Sequence, residues 1–397
     1  MAQRLKTDIV IIGGGIAGLW TLNQLRNRGF QALLFENRAL GSYQSMGSQG
    51  MIHGGIKYAL GGSLSGSSEA IASMPDAWRA CLKGEGAVDL SQCRVLSEDF
   101  FLWSSASLHS RISTFFASHM LRGRVKKMSP ERYPAPLRDP AFRGQVYQLV
   151  DLVLDMPSLI QKLADNHREA IFQIDWGEAL LERAGGRALL QLPGLTLDPD
   201  CLLLTAGAGN EALMEALGSS GVPMQRRPLQ QVLFKHEYRE DFFGHCTGLN
   251  PSPRLTVSSH RTRHDEPVWY LGGDLATENP DDTPDQLIDK ARRELTELLP
   301  WINFGKTEWR TFTLDRAEPR QSSLLRPDEA FVGALDSVDN ALVAWPTKLT
   351  LSPNLADAVE RELAQRDLKP GPGVDLSVLS GLARPGIAPT VWDEAFA

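Results

Sequence analysis

"DIVIIGGGIAGLWTLNQLRNRGFQALLFEN", residues 8–37, decides the fold. Ile9, Val10, Ile11 and Ile12 form an unbroken β-branched run, as expected of a strand buried on both faces of a parallel sheet. Gly13, Gly15 and Gly18 follow as G-x-G-x-x-G. The first glycine permits a tight turn, the second lets backbone approach a diphosphate, and the third lets the next helix lie close to the strand. The pattern predicts a helix over 16–28 whose first amides, at Ile16 and Ala17, face an anion. Leu19, Leu22 and Leu25 point to the sheet and Gly29 ends the helix. A second strand, 32–35, leads into Glu36 and Asn37, where an acidic side chain takes the ribose hydroxyls of a dinucleotide. Strand, glycines, helix, strand and acid in this order specify an α/β unit, a Rossmann-like FAD/NAD(P)-binding domain.

The next segment chooses between the two dinucleotides. Residues 41–60, "GSYQSMGSQGMIHGGIKYAL", are rich in glycine and serine where a nicotinamide enzyme continues with plain helix–strand units. Small residues at this density let backbone lie against a ligand. Ser45 and Ser48 offer hydroxyls to phosphates, and Gly54 and Gly55 leave room for a flat ring. An NAD-dependent dehydrogenase would leave this segment unexplained.

The wording S-x-x-S-Q-G-x-I-H-G-G over residues 45–55 resembles the second flavin-contacting segment of the D-amino-acid oxidase (DAO) superfamily of FAD-dependent oxidoreductases. That superfamily includes glycine oxidase, sarcosine oxidase, glycerol-3-phosphate dehydrogenase and L-2-hydroxyglutarate dehydrogenase, and I-H-G-G-I-K-Y is nearest to the last two. Two later segments fit in the same order. "CLLLTAGAGNEAL" (201–213) looks like the family's returning strand, whose small residues pack beside the FAD diphosphate and ribose. "NALVAWPTKLTLSPNLADAVEREL" (340–363) looks like the closing strand, loop and helix at the flavin end, with Ser352 as N-cap and Pro353 at N1. The resemblance implies FAD as cofactor. Its contacts are expected from Gly13, Gly15, Ile16, Ala17, Gly18, Glu36, Asn37, Ser45, Ser48, Gln49, Gly50, His53, Gly54, Ala206, Gly207, Lys348, Leu349 and Thr350.

The family pattern further implies a discontinuous chain. Residues 1–75, 145–222 and 316–397 make the FAD-binding domain. Residues 76–144 and 223–315 make an α+β substrate-binding domain on a mixed sheet. Local signals agree with these joints: a Gly/Ser stretch at 61–68 before a helix over 69–82, a proline-rich crossing at 129–140, and a strand run "VYQLVDLVLD" at 146–155. Thr283-Pro284-Asp285-Gln286 carries the capping-box pattern of a helix start. The last thirty residues, with "KPGPG" and "ARPGIAP", suit an extended tail.

FAD carries the redox chemistry, and the protein orients substrate and charge. The expected reaction is oxidation of a small amino acid, amine or 2-hydroxy acid by hydride transfer to flavin N5. Alternatives are a polyol phosphate resembling glycerol 3-phosphate, or an FAD that is structural or regulatory without turnover. Three roles stay open for His53: a backbone-bonded side chain behind the ring, a catalytic base, or a covalent flavin link. Lys57 and Tyr58 read as packing or solvent-facing residues. Lys348 stands in a Trp345-Pro346-Thr347-Lys348 loop with no glycine, where relatives have a glycine-rich one. It is a candidate for stabilising negative charge on the flavin or a substrate carboxylate. Relatives often carry a carboxylate-binding arginine before the closing strand. Arg310, Arg316 and Arg320 in "EWRTFTLDRAEPRQ" compete for that role, with Arg316 preferred and an ion pair to Asp315 or Glu318 as its competing use.

Composition bounds the rest. Forty-one Lys and Arg against 48 Asp and Glu give a net charge of −7 over 397 residues, without a long basic run. Nucleic acid and anionic lipid are therefore not default partners. Cys81, Cys93, Cys201 and Cys246 lie far apart without a CxxC pair, which predicts free thiols and no metal site. The run from His260 to His264 reads as a charged hairpin turn. The apolar stretch 9–22 is too short for a bilayer and is broken by glycines, so no integral membrane segment and a cytoplasmic address are expected. The electron acceptor, oxygen or quinone, and the oligomeric state leave no mark in the sequence.

Overall fold

The computed structural model describes residues 3–55, 68–105, 125–248, 250, 252–277, 282–320 and 329–397. Lys57, Tyr58 and most of the 61–68 stretch lie outside them.

The β-branched run does form the central strand. Gln3–Ile12 pairs in parallel with Ala32–Glu36 on one side and Leu195–Leu204 on the other. Ile171–Gln173 and Ala341–Trp345 extend the parallel sheet at its two sides, while Leu180–Ala184, Arg187–Leu192 and Phe331–Ala334 add antiparallel strands. In this register Ile12 stands beside both Phe35 and Leu204. The loops after all three strands therefore leave the sheet at one edge, the place where open parallel sheets bind ligands.

Helix Ile16–Asn27 is buried almost all round, not on one face only: Trp20, Thr21, Asn23 and Gln24 are as inaccessible as Leu19, Leu22 and Leu25. Helices Met156–Asn166 and Ser352–Gln365 flank it and explain the difference. Asn23 is satisfied within this packing, donating to the Leu19 and Leu163 carbonyls. The helix expected over 69–82 is two helices, Ser68–Ala72 and Met74–Leu82. Pro75 lacks an amide proton and occupies the first turn of the second, so the chain restarts there.

A second sheet of eight strands runs in the order Glu308–Pro319, Met224–Lys235, Pro267–Gly272, Pro253–Arg261, Gly244–Thr247, Phe100–Trp103, Val146–Leu149, Val125–Lys127. It is antiparallel except where Gly244–Thr247 meets Phe100–Trp103. Helix Pro284–Leu298 covers one face with Leu287, Ala291, Leu295 and Leu298, and the Thr283/Gln286 capping box is present as the sequence predicts. Met51–Ile52, Leu152–Leu154 and Val95–Ser97 form a small third sheet.

Two elements pack across the joints expected above. Trp78 and Cys81 of helix Met74–Leu82 belong to the core of the first sheet, and Val146–Leu149 belongs to the second. The apolar run at 146–155 is thus two strands in different sheets, parted at Val150-Asp151. The four cysteines are free and buried. Among the described residues no helix is long and apolar enough to cross a membrane.

Candidate active site

Between the two large sheets lies a cavity of about 1920 Å³. At one end its wall is Phe35, Glu36, Asn37, Trp176 and Leu181. In the middle it is Gly13, Gly15, Ile16, Ala17, Ser45, Ala206 and Gly207. At the other end it is Ser48, Gln49, His53, Tyr270, Lys348 and Leu349, and Arg316 lines the same cavity from the strand that packs against Gly207–Gly209. The opening glycines and the later segments 45–55, 201–213 and 340–363 are therefore brought to one space.

The middle of the cavity is shaped by close backbone approach. Gly13 has φ +114°, and a Cβ there would stand 2.7 Å from the backbone of Ala206 and Thr205. A Cβ on Gly18 would overlap the Gly13 carbonyl oxygen and come within 2.7 Å of Thr205 Oγ1. Gly15 is different: only Ser45 Oγ, at 3.2 Å, lies near its missing Cβ. The helix that follows has no side-chain cap, and Ser45 Oγ accepts from the Ile16 amide at 2.9 Å. This is a backbone cradle with a positive helix end and an adjoining hydroxyl, the donor set that a diphosphate requires. Glu36 accepts from the Gly14 amide at 2.6 Å and the Arg38 amide at 2.8 Å, which fixes its carboxylate at the cavity wall. The residues present therefore fit FAD: a cradle for its diphosphate, an acid for its ribose, and a wide far end for its ring.

Four expected contact residues stand behind the wall instead of lining it. Gly18 serves the helix–strand approach just described. Gly50 has φ +72°, and a Cβ there would overlap the carbonyl oxygen of Leu154, in the strand with which Met51–Ile52 pairs. Gly54 donates its amide to Asp151 Oδ1 at 2.8 Å, and its missing Cβ faces Val150; that of Gly55 faces Ile71. These two glycines make room for protein. Thr350 is fully buried, its hydroxyl accepting from the His53 amide and donating to the His53 carbonyl, both at 3.2 Å. It ties the closing loop to the His53 segment, and Trp78 Nε1 donates to the Thr350 carbonyl at 2.9 Å.

The glycine-free loop has a structural counterpart. Thr347 takes φ +60°, the left-handed conformation that a glycine would adopt without strain, and its hydroxyl donates to the Glu329 carbonyl at 3.1 Å. A 3-10 turn, Leu349–Leu351, follows before helix Ser352–Gln365. Leu351, not Ser352, is the N-cap; the Ser352 hydroxyl donates to the Leu349 carbonyl, so the 3-10 turn moves the cap back by one residue.

Of the three candidate arginines, Arg316 lines the cavity, whereas Arg310 is exposed beside Glu308 and the Phe396 ring and Arg320 is exposed at the end of its strand. The competing Glu318 pairs with Arg227 and accepts from Gln225 at 2.8 Å. Arg227 sits directly opposite Arg316 across the antiparallel pair. Cationic Arg38, Arg226, Arg227, Arg316 and Lys348 line the cavity against acidic Glu36 and Asp315. A chain of net charge −7 thus presents a locally positive cavity, which favours anionic ligands.

Tyr270, Arg227, Gln231, Trp176 and Asp151 were not singled out from the sequence. Tyr270 lines the cavity while its hydroxyl donates to the Gly47 carbonyl at 2.7 Å; burial pushes its pKa up. Asp151 did leave a signal, a carboxylate inside the apolar run 146–155, where a buried acid must have a partner. The His260–His264 run is a hairpin turn only in part. Arg261 pairs with Asp265 at 3.3 Å across the turn, but His260 is buried in strand Pro253–Arg261. None of its residues lines the cavity.

Comparison with known proteins agrees with this geometry. The family model for DAO, FAD dependent oxidoreductase, matches residues 8–340. The "Probable FAD-dependent oxidoreductase PA4991" of Pseudomonas aeruginosa is 46% identical over 400 residues, covering all of both chains. Its crystal structure superposes with a TM-score of 0.86 at 41% identity over the whole of both chains. Glycine oxidase from Geobacillus kaustophilus superposes with a TM-score of 0.66 at 15% identity, over 95% of this chain and 98% of its own. Iminodiacetate oxidase from Chelativorans sp. BNC1 gives 0.64 at 14%, over 96% and 100%. The last two likenesses are of fold. Family model, full-length relative and cavity together place this chain in the DAO family of FAD-dependent oxidoreductases.

Proposed function

We propose that the enzyme oxidises a small amino acid or related amine, with a 2-hydroxy acid as the nearest variant, and that Arg316 holds the substrate carboxylate. The observation that carries this is the place of Arg316: it lines the same cavity as Gln49, His53, Tyr270 and Lys348, while Arg310 and Arg320 lie outside it. A guanidinium presents a planar fork that matches a carboxylate in two bonds. FAD bound in the cavity supplies the two-electron acceptor. The chain's part is to orient: Arg316 fixes the acid, Lys348 adds positive charge, and Gln49 is set by its own bonds to Ser258 Oγ at 3.1 Å and the Tyr270 carbonyl at 2.9 Å.

An amine that enters as the free base needs no strong base to release its proton, whereas an alcohol does. His53 is buried, its backbone held by Thr350, and Tyr270 is committed to the Gly47 carbonyl. The solved neighbours whose names speak of glycine and iminodiacetate oxidation support the amine class. Residues 1–75, 145–222 and 316–397 then serve FAD, and 76–144 with 223–315 serve the substrate, apart from the two exchanged elements.

The test is anaerobic reduction of the yellow holoenzyme by a panel of amino acids, N-methyl amino acids, 2-hydroxy acids and glycerol 3-phosphate. Bleaching by an amino or N-methyl amino acid supports the reading. Bleaching by glycerol 3-phosphate alone, or by no member, overturns it.

A further inference from the structure

The chain beyond helix Ser352–Gln365 has no part in the function above, and the family match ends before it, at residue 340. It is not a loose tail. Gly371 donates its amide to Asp8, within the central strand, at 3.0 Å. Ala383 then accepts from the Gln173 amide, covering the outer strand Ile171–Gln173. Arg384 donates to the Glu169 carbonyl at 3.0 Å and to that of Ile171, with its guanidinium 4.0 Å above the Phe172 ring. Leu40 exchanges backbone bonds with Gly386 and Ala388. From there the chain crosses to the second sheet, where short helix Val391–Ala395 seats Trp392, 3% exposed, in a cluster with Leu233, Val268 and Tyr270.

Trp392 stacks on His260 with ring centroids 4.1 Å apart. His260 Nε2 lies 2.9 Å from Ser258 Oγ, and that oxygen accepts from Gln49 Nε2 at 3.1 Å. The Ser258 hydroxyl thus bridges the two side chains, accepting from Gln49 and sharing a hydrogen bond with His260 Nε2 whose direction follows the histidine tautomer. Burial keeps His260 neutral, with its pKa pushed down to about 3. The line from Trp392 through His260 and Ser258 thus ends on an amide in the cavity wall.

We propose that residues 367–397 form a strap whose last helix sets the flavin end of the cavity, with Trp392 and His260 as positioning residues for Gln49. The proposal rests on the reading that the flavin ring lies at the Gln49, His53 and Tyr270 end. Without the Trp392 ring, one face of His260 opens to water, the ring can turn or protonate, and the Ser258 hydroxyl loses its fixed partner. Gln49 then keeps one fixed partner, the Tyr270 carbonyl, instead of two.

The test is the midpoint potential of the bound FAD in purified holoenzyme, with thermal midpoint measured beside it. Trp392→Ala and Ser258→Ala are each expected to change the ratio of affinities for reduced and oxidised FAD about fivefold; a tenfold change reads as about 30 mV for a two-electron couple. The double variant matches the single ones, since both cut the same line, and Trp392→Phe keeps the wild-type potential. Ser258→Ala removes only a hydroxyl, so it carries the test if Trp392→Ala does not fold. A lowered thermal midpoint with unchanged potential in both variants, while Gln49→Ala moves it, overturns the strap's role alone. A Gln49→Ala holoenzyme with unchanged potential overturns the placement of the ring, and the proposal with it.

Discussion

Replacing each glycine of the first turn by alanine separates two jobs that the G-x-G-x-x-G pattern combines. At Gly13 the new side chain would be strained at φ +114° and would stand 2.7 Å from the Ala206 and Thr205 backbone. Backbone strain of about 1–3 kcal/mol and overpacking of about 1–3 kcal/mol add to roughly 2–6 kcal/mol. That is a large share of the ~5–15 kcal/mol that holds a domain folded. Gly18→Ala meets backbone too, at the Gly13 carbonyl, and is destabilising through overpacking alone. At Gly15 the backbone is ordinary, φ −77°, and only the Ser45 hydroxyl is near. The apoprotein loses less than about 1 kcal/mol there, the modest cost of alanine at an N-cap. The methyl group nevertheless enters the cradle, so FAD affinity falls at least about tenfold, or 1.4 kcal/mol. Urea unfolding of the apoproteins and titration with FAD, followed by quenching of its fluorescence, measure both quantities. A Gly15→Ala protein that binds FAD like the wild type, or a Gly13→Ala protein as stable as the wild type, refutes the reasoning.

Two further results follow from the same geometry. Glu36→Gln replaces an acceptor of two backbone amides by a group with a donor on one side, and hydrogen bonds to a charged group are worth about 1.5–3 kcal/mol. FAD titration should show a weakening of about 10- to 100-fold; a change below threefold would count against a fixed carboxylate at the ribose. His236 is buried among Phe234, Trp269 and Phe304, and burial lowers its pKa to about 4 from an ordinary 6.5. The unfolded chain therefore binds the proton first. The stability tied to neutral His236 is complete above pH 6.5 and is lost as pH falls towards 4, at up to about 1.4 kcal/mol per pH unit. Urea midpoints between pH 7 and pH 4 should show this slope, and His236→Phe should make it shallower; an unchanged slope in the variant would assign the acid sensitivity elsewhere.

The first βαβ unit was legible because its information is local. Four β-branched residues, three glycines and one acid lie within 30 residues, and each has a contact that its side chain alone requires. The Thr283 capping box was legible for the same reason. What the sequence hid depends on pairing between distant strands. Arg227 and Arg316 stand opposite each other only because Met224–Lys235 pairs with Glu308–Pro319 through its whole length. Tyr270 and Gln231 reach the wall by the register of Met224–Lys235 with Pro267–Gly272. Gly50 and Gly54 sit in a flavin-like wording yet are needed for packing against Leu154 and Val150, a distinction that only neighbours in space can make. The tail was opaque because its partners are mostly backbone carbonyls and amides, at Glu169, Ile171, Gln173 and Leu40, which leave no side-chain pattern. His260 read as part of a turn because two arginines and a second histidine follow it, while its own place in the strand turns it inward.

The central claim, that the cavity oxidises a small acid whose carboxylate Arg316 holds, is tested most directly by discrimination. The rate of anaerobic flavin bleaching should be measured with the best acid of the panel and with its amide, in the wild type and in Arg316→Met. A charged, two-bond contact is worth about 1.5–3 kcal/mol or more. The wild type should therefore reduce about 10- to 100-fold faster with the acid, and Arg316→Met should erase that preference while still binding FAD. Equal rates with acid and amide in the wild type, or a preference that survives in Arg316→Met, would contradict the account.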